Sequence, residues 1–127
     1  MKLINDFFYI ETDQGPIAGC QEPTDFSCPV TLNADHRLYS VHFPGNPVTP
    51  GACLIQMANE ILNAHFGHNF LLNKASSIKF KKTVSPHDRL TFVFSKMVFV
   101  DNNLNTSLSI ENEEVQFARM SLQFKNS

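Results

Sequence analysis

The chain has 127 residues, 43% of them apolar, with 12 Phe and no Trp, which is enough for one domain, 1–127, with a real core and no need of staples. Its formal net charge of −2 excludes the strongly basic balance of an obvious nucleic-acid binder. Three cysteines (Cys20, Cys28 and Cys53) are an odd number without CxxC spacing, which argues against a disulfide framework and a zinc site; reduced, buried thiols are expected. Met1 to Asp6 lacks the apolar core of a signal peptide, and no run reaches the ~18 apolar residues of a membrane span, so a cytoplasmic protein is expected.

Phe7 to Ile10 is a short aromatic and β-branched run that predicts a strand, and Asp13-Gln14-Gly15-Pro16 predicts a turn after it. Ile17 to Pro23 carries no clear pattern. Phe26, Cys28, Val30 and Leu32 alternate with small or polar residues, as a half-buried strand would, and Pro29 within it predicts an edge or a bulge. Asn33 to Asp35 breaks the strand, and Arg37 to Val41 crosses to a loop.

That loop reads His42-Phe43-Pro44-Gly45-Asn46-Pro47-Val48-Thr49-Pro50-Gly51, with three prolines and two glycines in ten residues. It is stiff and irregular. Good helix formers follow without a breaker until Gly67, so a helix is predicted to begin at Pro50 or Gly51, where a missing N–H has no intrahelical role. Its free N–H groups point back at the loop, a positive end that can polarise a carbonyl beside a basic histidine. Gln56, Asn59, Glu60 and Asn63 share one face; the other faces are apolar, an arc too wide for the surface of a small monomer.

Gly67 and Asn69 predict the helix end. His65 and His68 stand at i, i+3, but with no carboxylate or cysteine near them in sequence they read as dipole-favoured histidines, not metal ligands. Ala75 to Lys82 predicts a strand with Ile78 and Phe80 inward and Lys79 and Lys81 outward. Ser85 to Asp88 is a turn. Leu90, Phe92 and Phe94 begin a long strand that runs to about Val100. Asp101-Asn102-Asn103 turns it into a strand alternating at Leu104, Thr106, Leu108 and Ile110. Glu111 to Glu114 turns again, into a strand with Ala118, Met120, Leu122 and Phe124 on one face. The fold class is α+β, a curved antiparallel sheet wrapped around one long helix.

The stretch His42 to Glu60 resembles the hot-dog-fold 3-hydroxyacyl-(acyl carrier protein) dehydratases of fatty acid synthesis, whose signature is a His-Phe-Pro-Gly-x-Pro loop, a Pro-Gly pair and a helix with an acidic residue. Lys79 to Leu90 resembles the strand and turn that follow it. The likeness extends over about residues 24 to 124. It implies the hot-dog topology, an obligate homodimer whose sheets join edge to edge, no cofactor, and an acyl carrier protein bearing a 3-hydroxyacyl chain as partner. It also implies a shared site, with the histidine from one subunit and the helix residue from the other.

Dehydration of a 3-hydroxyacyl thioester needs a base for the C2 proton, a donor for the enolate oxygen and a proton for the departing C3 oxygen. His42 suits the first, since imidazole titrates near ~6.5. Gly51 suits the second, because without a side chain it lets a carbonyl approach the helix N–H groups. The family's acidic position falls on Gln56, an amide that can only hydrogen-bond the departing oxygen. His42 would then perform both proton steps while Gln56 orients the hydroxyl or a water. Glu60, one turn later, is either a relocated acid or the acceptor of a hydrogen bond, from the Gln56 amide or from a partner across the dimer, that fixes Gln56. Gly45 is read as a turn glycine, and Pro50, with Pro44 and Pro47, as loop stiffening. Lys79, Lys81, Lys82 and Arg89 are candidates for docking an acidic carrier protein. A thioesterase on the same fold and a non-catalytic acyl-binding subunit are the competing readings.

Overall fold

The structure is a computed structural model that describes residues 2–11, 25–41 and 45–126. The predicted turn at Asp13 to Pro16, together with Cys20, His42, Phe43 and Pro44, lies outside the described residues. Among the described residues six strands form one sheet: β1 (Phe8–Ile10), β2 (Phe26–Leu32), β3 (Phe70–Phe80), β4 (Leu90–Val100), β5 (Asn103–Glu111) and β6 (Gln116–Asn126). Their order is β1-β2-β4-β5-β6-β3, with every pair antiparallel. Two helices interrupt the strands, a short α1 (Arg37–Val41) and the long α2 (Gly51–Phe66).

The period-2 pattern places the core. Leu90, Phe92 and Phe94 of β4, Leu104, Leu108 and Ile110 of β5, and Met120, Leu122 and Phe124 of β6 are buried on one face. Leu54, Met57, Ala58, Ile61 and Leu62 of α2 are buried in the same core. Each fully buried Phe or Leu contributes about 2 kcal/mol relative to exposure. The β4–β5 connection has Asp101 and Asn102 at φ 50 and 67, the left-handed pair a tight two-residue hairpin requires.

Helix α2 starts where the sequence predicts. Pro50 is its extended N-cap (φ −63, ψ 145), and Cys53 and Leu54 donate to its carbonyl. Gly67 at φ 68 ends it, with its N–H on the Asn63 carbonyl at 2.9 Å.

Several expectations need correction. Residues 37–41 form a helix of five residues, too short to show a period. Strand β3 begins at Phe70, not Ala75, because the Phe70 and Leu72 backbones bond to asparagines of α2, a contact the strand's own pattern does not carry. Ile78 is not core: it falls in a bulge between Ser76 and Lys79, beside Ser77 at φ 51, and is 40% exposed. Phe80 pairs with Ala118 and faces the helix as alternation predicts, yet it is 52% exposed, because β3 is the edge strand. Pro29 lies in an inner strand, not an edge one. It falls one residue beyond the end of β1, where its carbonyl accepts the Glu11 N–H and its missing N–H forfeits only the reciprocal bond of that terminal pair.

Candidate active site

The loop before α2 is fastened at Thr49. Its N–H donates to the Val84 carbonyl at 2.8 Å, and its hydroxyl shares a buried 2.8 Å hydrogen bond with Tyr39 of α1. Burial pushes the Tyr39 phenol up to about 12, so this bond is between two neutral hydroxyls. The two contacts fix Pro50 and hence the direction of the first turn of α2. The helix N-terminus opens into a groove of about 350 Å³ lined on one side by Pro50, Gly51 and Leu54 and on the other by Phe80, Lys81 and Lys82.

Gly51 is needed there for space. A Cβ at this position would lie 2.5 Å from Phe80 Cζ and about 3 Å from both Cε atoms. Gly45 is needed for conformation: its φ is 87, and nothing lies within 4 Å of where a Cβ would be.

On another face of α2, Gln56 Nε2 donates to Glu60 Oε2 at 2.8 Å. Glu60 is 8% exposed and also accepts the Leu3 N–H at 2.8 Å on both oxygens and the Ile4 N–H at 2.6 Å. The carboxylate thus pins the N-terminal segment to the helix and sets the end of the Gln56 amide that faces it. Both Glu60 oxygens are engaged as acceptors. Asn59 and Asn63 bond the backbone of Phe70 and Leu72 in the same way.

One chain does not bring Gly51 and Gln56 together. Five residues advance a helix by about 7.5 Å and turn it by roughly 140°, and Gln56 is not among the residues lining the groove. The four candidate cations divide as well. Lys79 stands opposite Arg119 across β3 and β6, outside the groove lining, whereas Lys81 borders the groove while its Nζ donates to Gln116. Lys82 Nζ lies 5.9 Å from the Phe117 ring centre, and Arg89 faces Glu11 at 3.4 Å beside a different hollow.

His65 stacks on Phe26, with ring centroids 3.6 Å apart and planes 6° apart. Burial pushes Cys28 up to about 11 and raises Cys53 too, so neither is an activated nucleophile. Among the described residues no group of three His, Cys, Asp or Glu side chains is placed to hold a metal, and no helix is long and apolar enough to cross a membrane. Sequence reasoning missed the Leu3–Ile4 clasp, the Tyr39–Thr49 bond and the seat of Phe80 on Gly51. Only the last had a signal, a glycine in the first turn of a helix where no left-handed conformation calls for one.

An antiparallel sheet curved around one long helix, with a groove at the helix start, defines the class: this is the hot-dog fold of thioester dehydratases and thioesterases. Residues 19–121 match the family of ApeI-like dehydratases, and the chain belongs to that family. A curated relative, a 3-hydroxyacyl-[acyl-carrier-protein] dehydratase FabZ of Levilactobacillus brevis, is 32% identical over 87 residues, 63% of this chain and 58% of that protein. Among solved structures the fold is similar to the dehydratase heterocomplex ApeI:P from Xenorhabdus doucetiae (TM-score 0.64, 13% identity, 87% of this chain and 97% of that one). It is equally similar to a hypothetical thioesterase with coenzyme A from Streptococcus pneumoniae TIGR4 (TM-score 0.63, 17% identity, 98% and 91%).

Proposed function

We propose that this protein is a hydro-lyase that dehydrates a 3-hydroxyacyl thioester, carried on an acyl carrier protein, to the trans-2-enoyl thioester. The observation that carries the reading is the bare start of α2 at Gly51, opening into a groove directly after the His42 loop. In this mechanism the thioester carbonyl lies against the helix N–H groups at Gly51, which stabilise the enolate oxygen. His42 takes the C2 proton and returns a proton to the C3 oxygen as water leaves. Gln56 orients that oxygen, and Glu60 orients Gln56.

The site is shared in a homodimer. Two features support this: Gly51 and Gln56 sit on different faces of one helix, and the β3 edge exposes Leu71, Leu72, Ile78 and Phe80. Lys79, Lys81 and Lys82 lie beside the groove or on the adjoining sheet and suit an acidic carrier; the pairing of Arg89 with Glu11 sets it apart from them.

The test is incubation with a 3-hydroxyacyl thioester while enoyl product and free thiol are followed together. Enoyl product without thiol is expected. Stoichiometric thiol with free acid would establish the thioesterase instead, and tight binding with neither product would leave an acyl-binding subunit.

A further inference from the structure

We propose that Phe80 is the residue that sets the width of the acyl group this site accepts. The inference rests on the function proposed above and adds the feature that selects among its substrates.

The ring occupies an unusual place. Its outer edge sits where the Cβ of any residue but glycine would stand at position 51, with Cζ 2.5 Å from that point. On that side the ring is already in contact with the helix backbone and cannot move closer. On the other side it borders the groove and is 52% exposed. One flank is therefore set by the main chain of α2 and the other by whatever enters.

The strand that carries Phe80 gives it a defined but adjustable position. Phe80 is held in register opposite Ala118, and the bulge ending at Lys79 lies immediately before it. Pro50 and Leu54 continue an apolar lining from the ring, and Lys81 and Lys82 follow it in sequence along the groove. That lining suits an apolar chain attached to an anionic carrier or nucleotide, which is the chemistry of an acyl thioester. A ring that is one wall of such a groove discriminates by size, and a change of one or two carbons in an apolar pocket shifts preference by about 10-fold or more.

The two partners give variants of opposite sign. Phe80→Leu and Phe80→Ala widen the groove. Gly51→Ala keeps the N–H and pushes the ring outward, because the obstructing atoms are the far end of a movable side chain. It narrows the groove.

The experiment is equilibrium dialysis of octanoyl- and 5-phenylpentanoyl-coenzyme A, similar in length and different in width, with wild type, the three single variants and Gly51→Ala/Phe80→Ala, alongside turnover of the corresponding 3-hydroxyacyl thioesters. Relative to wild type, Phe80→Leu and Phe80→Ala should move the phenylpentanoyl-to-octanoyl affinity ratio about 10-fold towards the wider group. Gly51→Ala should move it towards the narrower one, and Gly51→Ala/Phe80→Ala should return it towards the Phe80→Ala value. A parallel loss for all chains, an unchanged ratio, or no binding by wild type overturns the proposal. Opposite ratio shifts without turnover by wild type would uphold the role of Phe80 and reject the dehydratase reading.

Discussion

The polar seam of α2 and the outer edge of β3 lie a few residues apart in sequence and have opposite fates. In the seam, Asn59, Glu60 and Asn63 each bond backbone groups of the same chain: Leu3 and Ile4 on one flank, Phe70 and Leu72 on the other. A buried helix face that looks polar enough for a partner is thus fully occupied at home. Strand β3 bonds β6 along one side only, and of its eleven residues only Phe70 is buried. Beyond Phe70, its large apolar side chains Leu71, Leu72, Ile78 and Phe80 stay 40% to 58% exposed. The contrast teaches that burying polar groups fastens this chain to itself, while the face it leaves open is apolar.

The hardest break lies in neither region but in the loop leading to the helix. His42→Ala should keep the fold and lower dehydration by about 10² to 10⁴, the usual cost of a lost general base. Circular dichroism with a turnover assay checks it, and near wild-type turnover in a folded variant would end the mechanism. Next comes the open edge. Leu72→Asp combined with Ile78→Asp should leave the subunit folded, since both side chains are substantially exposed, but should prevent pairing and with it most activity. Sedimentation at micromolar concentration reads this. A stable, active wild-type monomer would refute the shared site.

The seam breaks differently. Glu60→Ala removes the acceptor of the Leu3 and Ile4 N–H groups and of the Gln56 amide, and should cost on the order of 3 kcal/mol by urea unfolding, with activity lost only in proportion to misfolding or to a loosened Gln56. Glu60→Gln, which keeps an acceptor, should be milder, and its effect on turnover smaller than that of His42→Ala. From sequence, Gln56→Glu looks like a restored acid. The geometry points the other way, because the new carboxylate would stand where the Gln56 amide now donates to Glu60 Oε2 at 2.8 Å, and the two would repel. The single change should destabilise, and the exchange Gln56→Glu/Glu60→Gln should recover most of the loss. If the single change instead raises both stability and turnover, the seam is not the closed unit described here.

What the sequence revealed follows the same division. The limits of α2, the β4–β5–β6 meander and the turn at Asp101 were legible because each depends on local period or local backbone conformation. The seam was legible as a face, and the Gln56–Glu60 bond as a one-turn pair, but its backbone partners were not, since Leu3 and Phe70 reach it by chain paths no period encodes. The edge misled most. A bulge at Ser76 to Lys79 removes Ile78 from the alternation, and exposure at Phe80 depends on where the sheet ends rather than on what the strand contains. The residues of the site were suggested by one dense motif, whereas the packing of Phe80 against Gly51 needed coordinates.

The smallest expected effect belongs to His65, in the last turn of α2. Its ring lies flat on Phe26, and burial holds its pKa below the ordinary 6.5. The unfolded chain therefore takes up this proton first as pH falls. Stability should decline as pH drops through the unfolded value towards the folded one and level off below it. His65→Phe keeps a ring on Phe26 and removes the proton site. Urea unfolding of both proteins between about pH 8 and about pH 5 isolates the contribution, because the other histidines are common to the two. Wild type should lose more stability over that interval than His65→Phe. Parallel curves would mean that the stacked histidine is protonated as readily in the folded chain as in the unfolded one, and that the Phe26 contact does not exclude the charge.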